Sequence, residues 1–416
     1  MKAIDIFTGI GGWNVALSTL GIQVIMAANH SQPSLATNRL NFPDTEQIHL
    51  DIMQCDPALI PDADLLCASP ECTNHSHSKG VRLLSQNQLR LPGIWTDRSD
   101  DPFVTLSRET MNGVHRWAEI KALQGNPFKV IFLENVTDIY HWSGLNGWYA
   151  NMEKLGYHAQ TISFNSMFAR PFPVPVPQSR DRCYIVLTRH GLPIPDIAIR
   201  PAAHCRFCQG EVEAIQCWRK TAQNVPFGDY GDQYDYRCPN CNTEVVPTST
   251  PAYTVIDWDL PTPPIGDRTR PLCEETMLKI HKGLRWYTSL TPDQQARKTF
   301  MLSYYKNAVL RNVDGVAGTV TTRDRHALIS LPTSWNPGEA APDVNQCGYR
   351  MFTWYEYQRL MGLPESFRFA CNVTERKRQL GLAVTPAAAL EVVSRGLAAL
   401  GHLDMYTHYS GNEDVA

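Results

Sequence analysis

The 416-residue chain is 43% hydrophobic and 19% charged, with a formal net charge of −3. That is ordinary globular composition, long enough for two or three domains, and it excludes attraction of a polyanion by overall charge, so any such surface must be local. The chain opens without a basic, apolar and cleavable leader, no apolar run approaching the ~18 residues of a membrane span is read from it, and twelve cysteines, several set in apolar runs as Cys67 and Cys183 are, fit a reducing cytoplasm better than a disulfide framework.

Lys2 to Phe7 reads as a short strand, followed by Thr8-Gly9-Ile10-Gly11-Gly12 and then apolar residues at helical spacing over Trp13 to Leu20. A strand at Ile22 to Ala28, a helix around Ser34 to Leu40, a short strand near Gln47 to Leu50, and strands at Asp64 to Ala68 and Lys129 to Leu133 continue the alternation. This predicts an α/β fold, a Rossmann-like, doubly wound parallel sheet. The dinucleotide fingerprint Gly-x-Gly-x-x-Gly fails, because after Gly9 and Gly11 the third position is Asn14. What survives is a glycine turn at the end of a strand, which lets a nucleotide-like cofactor approach the backbone closely.

Two features in this half carry chemistry. Cys72, in the run Ala68-Ser69-Pro70-Glu71-Cys72-Thr73-Asn74-His75-Ser76, follows one strand, and Glu134-Asn135-Val136 follows another. The pair reads as a nucleophile and its acid: a thiolate adds to an electron-poor carbon while a carboxyl group holds a heterocycle's ring nitrogen.

After Arg189 the alternation gives way to Pro-rich, polar sequence, and a smaller, irregular domain is expected over 191–349. Within it, at about 204–245, Cys205-x2-Cys208 and Cys238-x2-Cys241 form two knuckles with the spacing of a structural four-thiolate zinc site, and His204 and Cys217 stand near enough in sequence to substitute as ligands. Between Pro261 and Ser330 eleven Lys/Arg stand against six Asp/Glu, a local balance of +5, interleaved with Trp286, Tyr287, Phe300, Tyr304 and Tyr305. This is the candidate polyanion surface. Regular structure returns at Phe352 to Met361 and Pro386 to Leu400, and Ser410 to Ala416 reads as a frayed tail.

Taken in order, these motifs resemble the DNA cytosine-5 methyltransferases. Asp5-Ile6-Phe7-Thr8-Gly9-Ile10-Gly11-Gly12 resembles that family's S-adenosylmethionine loop, Asp51-Ile52 its adenine-side element, Ser69-Pro70-Glu71-Cys72 its nucleophile loop, Glu134-Asn135-Val136 its acidic motif, and Gln178-Ser179-Arg180-Asp181-Arg182 its Gln-x-Arg-x-Arg. Arg350 to Thr353 with Glu356, Arg359, Leu360, Gly362 and Pro364, and then Gln379 to Val384, resemble its closing motifs. The resemblance implies a catalytic domain over 1–190, a target-recognition domain over 191–349, and a return to the catalytic domain over 350–416. It implies catalytic roles for Cys72, Glu134, Arg180 (positioning the base or its O2) and Arg182. It implies a cofactor pocket from Asp5, Phe7, Gly9, Gly11, Gly12, Asn29, Asp51, Ile52, Pro70, Ala383 and Val384, and methylation of a flipped cytosine in double-stranded DNA by a cytoplasmic enzyme of a prokaryote or phage. RNA methylation and a catalytically weak DNA-binding relative are the rival expectations. Asn29, Glu71 and Leu382 depart from the family pattern: a neutral residue stands at the cofactor ribose, a carboxylate beside the thiol, and an apolar residue where an Asn is usual.

Overall fold

The computed structural model describes residues 1–70, 102–170, 174–219, 227–304 and 308–401. Its first half builds β1 (Lys2–Ile6), α1 (Gly12–Thr19), β2 (Gln23–Asn29), α2 (Gln32–Asn41), β3 (Glu46–His49), β4 (Leu65–Ala68), α3 (Pro102–Leu123), β5 (Val130–Asn135), α4 (Leu145–Lys154), β6 (Tyr157–Asn165) and β7 (Asp181–Arg189). These strands form one seven-stranded sheet in the order β3-β2-β1-β4-β5-β7-β6. Neighbours from β3 to β5 are parallel, as the alternation predicts, whereas β7 is inserted antiparallel to both β5 and β6.

The central strands are apolar on both faces because both faces are covered. Every residue of β4 and β5 is buried. On one side Met111, Val114, Trp117 and Ala118 of α3 and Trp148 and Met152 of α4 pack on Ile4, Leu66, Ile131 and Leu133. On the other, Trp13 and Ala16 of α1 and a small-residue face of α8 (Pro386–Gly396) pack on Ala3, Leu65, Val130 and Phe132.

Beyond β7 come β8 (Ala202–Cys205), β9 (Gly210–Glu213), β10 (Ile215–Trp218) and β11 (Tyr234–Arg237), two small antiparallel pairs. Then α5 (Glu274–Thr288) covers a four-stranded antiparallel sheet of β12 (Thr299–Ser303), β13 (Val309–Asn312), β14 (His326–Ser330) and β15 (Gly348–Met351). The small domain thus holds more regular structure than its Pro-rich sequence suggests. Segment 191–349 also splits between cores: Ala203, Cys205, Ala214, Tyr234, Tyr236, Cys238 and Val245 share the α1–α8 core of the large sheet, while α5 and β12–β15 form their own.

The chain closes with α6 (Trp354–Leu360), whose Thr353 and Glu356 make a reciprocal capping box, α7 (Val373–Leu382), capped by Asn372, and α8. Val373–Leu400 does reach the length and hydropathy of a membrane span, against the expectation that no such stretch exists. The chain breaks it between α7 and α8 at Ala383 to Thr385, and 83% of the apolar window is buried inside the fold.

Candidate active site

The glycine turn leaves β1 at the centre of the sheet. Phe7, Gly9 and Gly11 all take left-handed φ values (54°, 54° and 96°), so the backbone turns sharply before α1. At Gly11 a side chain is excluded twice over, by φ and because a Cβ would stand 2.7 Å from the Phe42 ring. Gly12 fails differently: its Cβ would meet the Val384 carbonyl oxygen at 2.3 Å. The start of α1 and the last motif, some 370 residues apart in the chain, therefore touch through backbone.

A hydrogen-bonded line runs beneath the turn. Gln47 Nε2 donates to Asn38 Oδ1 (2.8 Å), Asn38 Nδ2 to Thr8 Oγ1 (2.9 Å), and Thr8 Oγ1 to Asp5 Oδ2 (2.5 Å). Burial pushes the Asp5 carboxyl up to about 8, against the pull of the Thr8 hydroxyl, and its other oxygen, Oδ1, is buried with no hydrogen-bond partner. An orphaned buried acceptor beside an open glycine turn fits the polar groups of a nucleotide-like cofactor. The remaining expected pocket residues lie along the same edge. Asn29 ends β2 and accepts from Ser31 N at 2.8 Å, Asp51 caps a short helical turn through Met53 N at 2.9 Å, and Ile52 is buried with its carbonyl accepting from Trp117 Nε1 at 3.1 Å.

Ser69 and Pro70 leave β4 between β1 and β5, and Trp13 Nε1 donates to Ser69 Oγ at 2.9 Å. Cys72, with Glu71, lies outside the described residues. Across from this edge Glu134, near the end of β5, meets Arg182 of β7: Nε stands 2.9 Å from Oε1, with side chains 16% and 10% exposed. Antiparallel insertion of β7 produces the meeting, since it sets the first residues of β7 against the last of β5.

Arg180 points elsewhere. Its guanidinium donates to the carbonyls of Val320 (2.9 Å), Gly381 (3.1 Å) and Ala383 (3.0 Å), so it clamps the end of the chain to the loop before β14. Gln178 does the same beside it, donating to Leu360 O and accepting from Val320 N, each at 2.8 Å. In this geometry Arg182, and not Arg180, faces the acid.

Sequence reading missed Asp181, the residue between these arginines. Its carboxylate accepts from Asn165 Nδ2 (2.7 Å), Tyr230 N (3.0 Å) and Tyr234 OH (3.2 Å), and burial together with the nearby Asp229 pushes it up to about 7. Nothing local in Gln-Ser-Arg-Asp-Arg marks it, because two of its donors come from some fifty residues downstream and the third, Asn165, from 16 residues upstream.

The four cysteines do converge. Cys205, Cys208, Cys238 and Cys241 place their sulfurs within 4.8 Å of one another, with Cys205–Cys241 at 3.5 Å and Cys208–Cys238 at 3.8 Å. A zinc ion with bonds of about 2.3 Å to a thiolate tetrahedron sets its sulfurs about 3.8 Å apart, so the donor set fits. Gln209 and Asn242, each just after a knuckle's second cysteine, adopt left-handed φ and turn the chain around the cluster. His204 instead pairs with Glu211 at 3.1 Å.

The basic region is partly consumed by its own fold. Arg297 pairs with Asp314 and stacks on Tyr253, Lys279 pairs with Glu275, Arg268 lies over Tyr349, and Arg325 donates to Tyr304 O. Arg270, Lys282, Arg285 and Arg323 are exposed, while Tyr305 and Lys306 lie outside the described residues.

A family model, C-5 cytosine-specific DNA methylase, matches residues 1–88 and 116–396. The Type II methyltransferase M.HhaI of Haemophilus parahaemolyticus is 25% identical over 194 residues, which are 47% of this chain and 51% of that protein. M.AquIA of Picosynechococcus sp. is 27% identical over 206 residues, 46% of this chain and 73% of that one. The match to the first of these relatives thus spans about half of its length. In fold alone, the S. pombe Dnmt2 methyltransferase is similar with TM-score 0.55 at 15% identity, covering 96% of this chain and 99% of that one. A Spodoptera frugiperda DNMT2 mutant gives 0.54 at 16%, covering 95% and 99%. With one family model covering most of its length, and the Glu134–Arg182 pair, the glycine turn and the last motif gathered at one sheet edge, the chain belongs to the C-5 cytosine-specific DNA methylase family.

Proposed function

We propose that the protein transfers a methyl group from S-adenosylmethionine to C5 of cytosine in double-stranded DNA. The observation that carries this reading is the ion pair of Glu134 with Arg182 beside the Ser69-Pro70 edge, in a chain matched by a cytosine-specific family model. The cofactor, when bound at the glycine turn, supplies an electrophilic methyl. The protein does the rest. Cys72 adds as thiolate to C6 of the ring, which makes C5 nucleophilic. Glu134, held by Arg182, shares a proton with N3 and bonds the exocyclic amine, so that charge accumulating on the ring is met by a fixed partner. After transfer a base removes the C5 proton, the C6–sulfur bond breaks, and the thiolate returns. Because C5 and C6 lie inside the stacked duplex, the cytosine must first leave the helix, and the exposed cations of the α5 region are suited to hold the opened backbone.

The four cysteines are assigned to structural zinc. Four thiolates leave no open position on a tetrahedral ion, so it would hold the hairpins together without taking part in chemistry.

The test is incubation of the full chain with labelled S-adenosylmethionine and either duplex DNA or RNA, beside Cys72→Ser. Label in DNA at cytosine C5, absent from RNA and abolished in the variant, is the expected result. Label in RNA alone, or full activity in Cys72→Ser, would overturn the reading.

A further inference from the structure

The segment carrying the four cysteines grips the catalytic sheet beside the Glu134–Arg182 pair. Hydrogen bonds among the described residues make the contact. Gln216 Nε2 donates to Ser163 O (2.8 Å), Gly228 N to Ser163 Oγ (3.2 Å), Tyr230 N and Tyr234 OH to Asp181 Oδ1 (3.0 and 3.2 Å), and Thr137 Oγ1 to Asp229 Oδ1 (2.9 Å). Apolar contact backs them, with Phe168 set edge-on against Tyr230 and Tyr236 at 4.8 and 5.4 Å between ring centroids.

Two of the gripped residues are neighbours of the acid and its partner. Asp181 immediately precedes Arg182 on β7, and because side chains alternate along a strand, one faces the insert while the other faces Glu134. Thr137 begins the helical turn that follows Glu134-Asn135-Val136. The insert therefore holds side chains that flank both members of the ion pair. Asn165 completes the lock, donating to Asp181 Oδ2 and accepting from Arg180 N at 3.0 Å.

We propose that the four-cysteine insert is a positioning element of the catalytic site, with Asp229 and Tyr234 as the residues through which it fixes Glu134 against Arg182. The inference rests on the proposed roles of those two residues. Neither Asp229 nor Tyr234 touches the reacting atoms; each acts by holding Thr137 or Asp181, and misplacement of a catalytic group by about 1 Å costs on the order of 100-fold in rate.

The test uses the full chain loaded with zinc and compares Asp229→Ala, Tyr234→Phe and Asp229→Asn with the wild type. Metal content, folded fraction, affinity for S-adenosylmethionine and for duplex DNA, and kcat and KM per folded molecule are read for each. Asp229→Ala and Tyr234→Phe should keep their zinc and both affinities while kcat per folded molecule falls on the order of 10- to 100-fold with KM unmoved. Asp229→Asn, which retains an oxygen for the Thr137 hydroxyl, should recover most of that loss. A wild-type kcat per folded molecule in the first two variants, or a loss that only follows unfolding or metal release, overturns the inference. An inactive wild type overturns the functional reading and the inference with it, whereas an active wild type with unaltered variants removes the inference alone.

Discussion

Arg182 Nε meets Glu134 Oε1 at 2.9 Å from the neighbouring strand, with both side chains mostly withdrawn from water. A pair this buried gains little over a well-packed apolar alternative, but removing one partner strands the other's charge. Arg182→Ala should therefore destabilise the fold by on the order of 3 kcal/mol and abolish methyl transfer, whereas Glu134→Gln, which strands the Arg182 charge but keeps an oxygen to accept from its Nε, should abolish transfer at a smaller cost in stability. Denaturant unfolding of both variants, beside the labelled-methyl assay, checks the contrast; equal destabilisation would contradict it.

Gly12 and Val384 make the second prediction. A methyl group at Gly12 would lie 2.3 Å from the Val384 carbonyl oxygen, and backbone cannot swing aside as a side chain can. Gly12→Ala should push α1 from the last motif, lower stability by about 1–3 kcal/mol as overpacked sites do, and weaken S-adenosylmethionine binding more than DNA binding. Calorimetric titration of both ligands reads the difference, and unaltered cofactor affinity would count against Ala383 and Val384 as pocket residues.

The legible part of the fold is the part where local pattern and tertiary role coincide. β1, β4 and β5 are buried on both faces and α1 buries an apolar face, so alternation in sequence is alternation in space there, although the edge strand β3 is only partly buried. The antiparallel entry of β7 between β5 and β6 has no such local sign, yet it is what brings Arg182 to Glu134. Strands of four residues such as β13 and β15 are too short for a period to announce them, although Leu310, Tyr349 and Met351 pack on the core that α5 covers. The cysteine spacing announced its cluster, since a closed four-thiolate site constrains spacing directly. That the cluster docks on the catalytic sheet through Asp181 could not be read, because single tyrosines at 230 and 234 carry no positional code.

Removal of the metal makes the third prediction. Cys205 and Cys238 are buried in the same apolar core as β7, so losing the ion would release more than a surface loop. Purified protein should carry about one zinc per chain. Chelation, or Cys238→Ser, should remove it, lower the thermal midpoint, and expose Trp218 and the β11 tyrosines. Metal analysis with tryptophan fluorescence measures both, and a metal-free chain with an unchanged midpoint would refute the zinc assignment.

The fourth prediction concerns Asp5. Burial raises its carboxyl to about 8 in the folded protein, above its ordinary value of 3.8, so between these limits the folded chain holds a proton that the unfolded chain has released. The stabilising contribution is thus full below the unfolded value, falls as pH rises through the window, and is gone above the folded value, with a slope of at most roughly 1.4 kcal/mol per pH unit. Asp181, raised to about 7, acts with the same sign, so the wild-type curve alone cannot separate the two. Asp5→Asn can, since the amide oxygen still accepts from Thr8 Oγ1 and Asp181 is untouched. The stability of Asp5→Asn relative to the wild type should rise steadily from about pH 5 to about pH 8. Urea midpoints across that range measure it, and a constant difference would mean that Asp5 is already ionised beside the cofactor turn.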